Sequence, residues 1–178
     1  HPTQVGKINA LYECALPLDQ RAPHRAGHNL RRGQTPRTFP LMIQGPLGLN
    51  FARRMKGVPV PRIENSALTA AYPPTLQRLK LWQQAAITVA GMPDWVFVKL
   101  HCHGMNPTDE TAMLGEQIQS FLQELTEWAG RGDGCRLHFV TAREMVNIIL
   151  AACDGRDGNP GEYRDYRLQL VRPVNAAL

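Results

Sequence analysis

The sequence predicts an α/β fold built on parallel strands, and three observations predict it. The second half of the chain alternates helix, strand, helix, strand, helix, the pattern of right-handed βαβ units. Trp95 to Leu100 is apolar apart from Lys99, as in a strand buried on both faces, and parallel sheets supply that environment. The last helix opens with Thr141-Ala142-Arg143-Glu144, a capping box in which Thr oxygen and Glu carboxylate satisfy free backbone donors. An α/β barrel and an open doubly wound sheet both fit. The chain offers only about five or six strand candidates, too few for a closed eight-stranded barrel. It begins with His1-Pro2-Thr3 rather than methionine, so a truncated, incomplete barrel is expected.

The elements follow in order. Ile8 to Cys14 is predicted as a strand. Residues 15–38 are polar, basic and broken by Pro17, Pro23, Gly27, Gly33 and Pro36, and read as a long basic loop. Leu41-Met42-Ile43 forms a short buried strand ending at Gly45, residues 46–60 a loop or short helix, and Arg62 to Asn65 a short extended segment. Tyr72-Pro73-Pro74 opens a helix, proline being suited to a first turn. Leu76, Leu79, Trp82, Ala86 and Val89 give that helix one apolar face, and Gly91-Met92-Pro93 stops it. Asp109 to Ala129 is one long amphipathic helix, with Leu114, Ile118, Phe121, Leu122, Leu125 and Trp128 inward. Leu137 to Val140 is the next strand, and the capped helix runs to about Cys153. Residues 154–178 are an irregular tail with a strand candidate at Tyr166 to Val171. The 178 residues suffice for a single domain with a core.

Composition bounds the function. A hydrophobic content of 43% with 20% charged residues fits a soluble globular protein. No apolar run is long enough to span a membrane and no secretory signal is visible. The net charge of +5 owes much to Arg21–Arg37, a segment with few aromatics to stack bases, and its prolines and glycines argue against a recognition helix. Nucleic acid is therefore not the expected partner; an anionic polysaccharide or a phosphate suits the loop better. Cys14, Cys102, Cys135 and Cys153 form no CxxC pair, so zinc-finger and thioredoxin spacings are absent. They read as free thiols, which favours a reducing, cytoplasmic setting. No GxSxG, P-loop or GxGxxG is present.

Functional residues gather at the carboxyl ends of parallel strands. His101 and His103 would occupy such an end, with Thr141 on the neighbouring strand, Glu64 and Asn65 ending the PRIEN strand, and Gln44 ending PLMIQ. Histidines at i and i+2 point to one side of an extended chain. Two imidazoles alone fall short of the three or four ligands zinc takes, and the nearby candidates are only Cys102, Asp109 and Glu110. A catalytic acid and a packed histidine with a backbone partner are the other readings. His138, inside a predicted strand, reads as structural. His24 and His28 sit in the basic loop, where Pro23 and Gly27 disfavour a helical metal face.

VFVKLHCHG, an amphipathic helix and then RLHFVTAREM together resemble the last part of polysaccharide deacetylases of the NodB-homology class. Leu100-His101 matches that family's Leu-His motif, and Phe139 to Met145 its following strand-to-helix phrase. QGPLG and PRIEN look like a bacterial subgroup of such proteins. The resemblance implies the C-terminal part of a distorted (β/α) barrel and hydrolysis of the amide C–N bond of an N-acetylated sugar. It implies His101 as general acid for the leaving amine and Leu100 lining the acetyl pocket. His103, which matches nothing in the family pattern, and Glu64 and Asn65, from their place at a strand end, are the further candidates for substrate contact. The family uses a divalent metal such as zinc and an aspartate base. Its aspartate pair and His-x-x-x-His run are absent here, and Cys102 stands where the family has aspartate. The expectation is therefore a carbohydrate-binding C-terminal portion that binds no metal itself and is inactive alone. The alternative is a non-catalytic α/β module that takes an anionic glycan or phosphate partner on residues 15–38.

Overall fold

The structure, a computed structural model, describes residues 6–17, 19–104, 106–131 and 134–169. Seven short strands and four α-helices occur among them. Strands β1 (Leu11–Cys14), β2 (Gly27–Asn29) and β3 (Met42–Ile43) form a sheet in the order β2-β1-β3. β4 (Gly48–Asn50) pairs with β7 (Arg62–Glu64), and β5 (Arg54–Met55) with β6 (Val58–Pro59). All these pairings are antiparallel. The helices are α1 (Leu76–Gln84), α2 (Pro107–Leu114), α3 (Glu116–Gly130) and α4 (Ala142–Cys153).

This corrects the expected parallel sheet and incomplete (β/α) barrel. Among the described residues, parallel pairing is confined to two isolated bridges, Arg31 with Ala90 and Ala67 with His101. The two segments predicted as core strands, 95–100 and 137–140, form no ladder. The reason lies in how their apolar residues are satisfied. Trp95 and Phe97 enter one core, with Leu11, Leu30, Ile87, Val89 and the Ile148–Cys153 face of α4. Val98, Leu100 and Cys102 turn the other way, against Leu68, Leu79, Trp82, Phe121 and Leu125. An extended chain places successive side chains on opposite faces. One segment can therefore be apolar on both sides by threading between two clusters, with no sheet at all. Its backbone is held at single points: Phe97 N–H donates to Ile87 O at 2.8 Å and His101 N–H to Ser66 O at 3.2 Å.

The helices also depart from their expected limits. α1 starts at Leu76, after the prolines, because Thr75 caps it by accepting from Arg78 N–H at 3.2 Å. It ends at Gln84, and Ala86 adopts φ 46°, a left-handed turn no helix continues through. Val89, placed on the helix face by the sequence, is buried with Ile87 in the α4 core instead. The expected 109–129 helix is two, broken at Gly115, which has extended backbone and caps α3. α4 matches its reading: Thr141 Oγ1 accepts from Glu144 N–H, and the Glu144 carboxylate accepts from Thr141 N–H at 2.7 Å. Cys153 at its end is buried, and burial pushes its thiol up to about 12. The 15–38 loop contains β2 and is tied down: Arg32 pairs with Asp157 at 2.7 Å, and Arg37 and Thr38 N–H groups donate to Glu13. The 46–60 segment is strand hairpin rather than loop or helix.

Three buried polar side chains organise the connections. Asn147, fully buried on α4, accepts from Arg167 and Leu168 N–H and donates to Arg164 and Leu168 O. One amide thereby pins residues 164–168, where the sequence suggested a strand; residues 166–169 form none, and 170–171 lie outside the described residues. Glu64 and Arg78 are 1% and 2% exposed and lie 2.7 Å apart. Burial would raise the Glu64 carboxyl, but hydrogen bonds from Arg78, Trp82 and Tyr72 outweigh it and hold the group below its ordinary value.

Two outcomes follow for stability. Arg78→Met leaves a buried carboxylate uncompensated and should cost about 3–5 kcal/mol by chemical denaturation. Because Glu64 is depressed in the folded state, its contribution is present above the unfolded carboxyl value near 4.3 and is lost as pH falls through the folded one. In Glu64→Gln that acid-limb component should vanish. Asn147→Ala should leave α4 intact but speed amide exchange at Arg167 and Leu168 at least about tenfold, since each loses its acceptor.

Candidate functional site

His101 is exposed and its backbone is held from both directions: its N–H donates to Ser66 O and its carbonyl accepts from Leu68 N–H at 2.8 Å. Ser66 is buried with φ 61°, and its Oγ lies 3.3 Å from His101 Nδ1. The strained, buried serine thus contacts the ring on its Nδ1 side, and no hydrogen bond engages Nε2 among the described residues. Gly45 shows how tightly the segments converge. A Cβ there would come within 2.3 Å of Ser66 Oγ and 2.6 Å of Lys99 O, so only glycine allows the approach.

His103 is exposed and stands edge-on to His101, ring centroids 6.2 Å apart at 89°. Its carbonyl accepts from Asn106 N–H at 3.0 Å, and Asn106 in turn donates through Nδ2 to Asp109 Oδ2. Burial, helped by repulsion from Lys99 and His103, holds the His101 imidazole below its ordinary value. A depressed imidazole is mostly neutral near pH 7 and a stronger acid once protonated.

The remaining sequence-derived residues scatter. Leu100 is half-buried and packs against the Leu68–Trp82–Phe121 core. Asn65 is exposed, and its Oδ1 accepts from Ala67 N–H in the turn that carries Ser66. Glu64 faces inward, away from the rim the sequence suggested, with both oxygens engaged by Arg78, Trp82 and Tyr72. Gln44 is a backbone clamp between Ala10 and Lys7, and Thr141 is a helix cap. Of the proposed metal-ligand candidates, Asp109 is buried and accepts from Ala70 N–H and Asn106. Among the described residues no group of three or more His, Cys, Asp or Glu could hold a metal ion. The described residues therefore gather no such cluster for the divalent metal that the family resemblance implies. No hydrogen bond joins His101 to a carboxylate among the described residues.

Sequence reasoning missed Ser66, whose only signal is its place after PRIEN. It also missed the role of Gly45, visible as the first glycine of QGPLG. His138, read as a strand residue, lies in an irregular segment with Gly161 against its ring, and its buried Nε2 has no partner among the described residues. Burial, with Arg164 and Arg136 nearby, lowers its pKa. No family model, curated protein or solved structure matches the chain. No helix among the described residues is long and apolar enough to cross a membrane.

The His101 geometry gives a titration that can be read directly. Its imidazole should titrate below about 6.5 by NMR, and His103→Gln should move the midpoint up, removing one source of repulsion. Since the folded value is the lower one, any stabilisation is complete above the unfolded imidazole value and declines as pH falls through it towards the folded one.

Proposed function

We propose that this chain carries the acid–base histidine of a carbohydrate N-deacetylase-type hydrolase, with His101 donating a proton to the amine that leaves an N-acetylated sugar. The observation that supports it most is an exposed imidazole whose backbone and Nδ1 side are both anchored on the 66–68 turn. A general acid needs this: a fixed ring, an accessible second nitrogen and a value matched to proton transfer. The Leu100-His101 order and the FVTAREM helix start add the sequence argument. His103, edge-on and exposed, extends the polar surface a sugar hydroxyl can use. Leu100 carries the apolar side of the same segment into the core and fixes the depth of His101.

In this reading the base and the divalent metal come from residues other than those described. The purified 178-residue chain is therefore expected to release no acetate from chito-oligosaccharide, with or without added zinc. It should still bind the sugar. Titration with N-acetylglucosamine trimer at millimolar concentration should shift the His101 imidazole signals saturably, His103 less, and His138 not at all. An unmoved His101 sinks the assignment. Shifts confined to the arginines of residues 15–38 would favour the anionic-ligand module instead. Acetate release by the chain would show that it supplies its own base and metal.

A further inference from the structure

The arm between Pro46 and Ile63 is built against the usual rule of apolar inside and polar outside. In β4 and β7 the buried residues are Asn50 and Glu64. The cross-strand partners Leu49 and Ile63 are 57% and 62% exposed. The β5–β6 hairpin repeats the arrangement: Met55 and Val58 face each other in register and are 56% and 64% exposed. Phe51 leads into it, also largely exposed. Every residue from 51 to 59 is exposed, and a Cβ added to Gly57 at the turn would meet nothing within 4 Å. The hairpin and its turn are therefore open to solvent.

The charge on this arm has one sign. Arg53, Arg54, Lys56 and Arg62 lie between Pro46 and Ile63, where the sequence has no Asp or Glu. None of the four forms an ion pair among the described residues. Arg54 donates to Gly57 O within the hairpin, and Arg62 stacks on the Tyr72 ring at 3.5 Å. Exposed apolar side chains interleaved with unpaired cations on a projecting turn match a surface that is negative outside and apolar within.

We propose that residues 46–63 dock this protein on an anionic lipid surface. Phe51, Met55 and Val58 enter the headgroup–acyl boundary, and Arg53, Arg54 and Lys56 meet the phosphates. This is peripheral attachment, independent of the role given to His101. A second copy is the poorer occupant, because pairing two such arms brings like charges together. An acidic protein would meet the cations, but charge alone does not account for the exposed Phe51, Met55 and Val58.

Vesicle co-sedimentation of the intact chain tests the assignment. Binding is expected to phosphatidylcholine vesicles containing about a third phosphatidylglycerol, and little to phosphatidylcholine alone. Replacing Met55→Ser and Val58→Ser together should lower partitioning about tenfold. Neutralising Arg53, Arg54 and Lys56 to Gln should lower it about a hundredfold, near fivefold per charge. All five positions are exposed, so the far-UV circular dichroism of both variants should match the parent. Absence of binding to the anionic vesicles, or equal binding to neutral ones, overturns the proposal. So does unchanged binding of the Met55/Val58 variant, which reduces the contact to surface charge. Self-association on gel filtration that this variant abolishes would assign the arm to a second copy. Displacement from vesicles by polyglutamate, with no effect of the Met55/Val58 change, would assign it to an acidic partner.

Discussion

The buried ion pair between Glu64 and Arg78 is the constraint on which much of the architecture depends. Burying two charges is costly unless the geometry is good and every remaining donor and lone pair finds a partner. Here the guanidinium places all five N–H groups: Nε and one Nη2 hydrogen on Glu64, the other Nη2 hydrogen on Ala67 O, and Nη1 on Tyr72 O and Pro73 O. The carboxylate also accepts from Trp82 Nε1, Tyr72 OH and Ser66 N–H. Tyr72 is held between two cations, with Arg62 at 3.5 Å and Arg78 at 3.7 Å from its ring, while Asn50 donates to its hydroxyl. One pair thereby joins β7, the 66–73 turn and α1.

That constraint reaches the candidate site and the arm by different routes. The turn that Arg78 holds through Ala67, Tyr72 and Pro73 is the one that presents Ser66 and Leu68 to His101. The histidine is thus positioned from below by charge satisfaction rather than by a sheet. On the other side, side-chain direction alternates strictly along a strand, so a one-residue slip exchanges its faces. With Glu64 inward, Ile63 must face out, and its partner Leu49 with it. The exposed apolar face of β4–β7 follows directly from burying the carboxylate.

How much of this was legible in the sequence depended on whether the signal was local. The α4 start was, because a capping box is complete within four residues. β1, β3 and β7 were, each being a short extended stretch bounded by Gly, Pro or Asn. The end of α1 was not: Ala86 enters a left-handed turn although alanine is the best helix former, so tertiary packing of Ile87 and Val89 overrode propensity. Gly115 did signal the break in the long helix, but apolar periodicity continues across it and hid the division. Glu64 read as a rim residue because its partner lies fourteen positions on, and nothing in PRIEN says that an arginine waits inside.

The 95–101 segment carries the most general consequence. Apolar on both faces, it met the sequence criterion for a central parallel strand. In the structure two separate clusters supply those two faces, and each backbone contact is a single bridge or bond. A ladder shares positional restraint among many hydrogen bonds. This segment relies on a few, at Phe97 and at His101, together with side-chain packing on either side. His101 therefore owes its placement to contacts that differ in kind from those that place His103. His101 has two backbone bonds and a buried serine; His103 has one loop hydrogen bond and an edge contact. The ring with the firmer placement is the one suited to proton transfer, where small displacements are costly. The two histidines of HCH, identical in sequence terms, are separated by the turn that the Glu64–Arg78 pair holds in place.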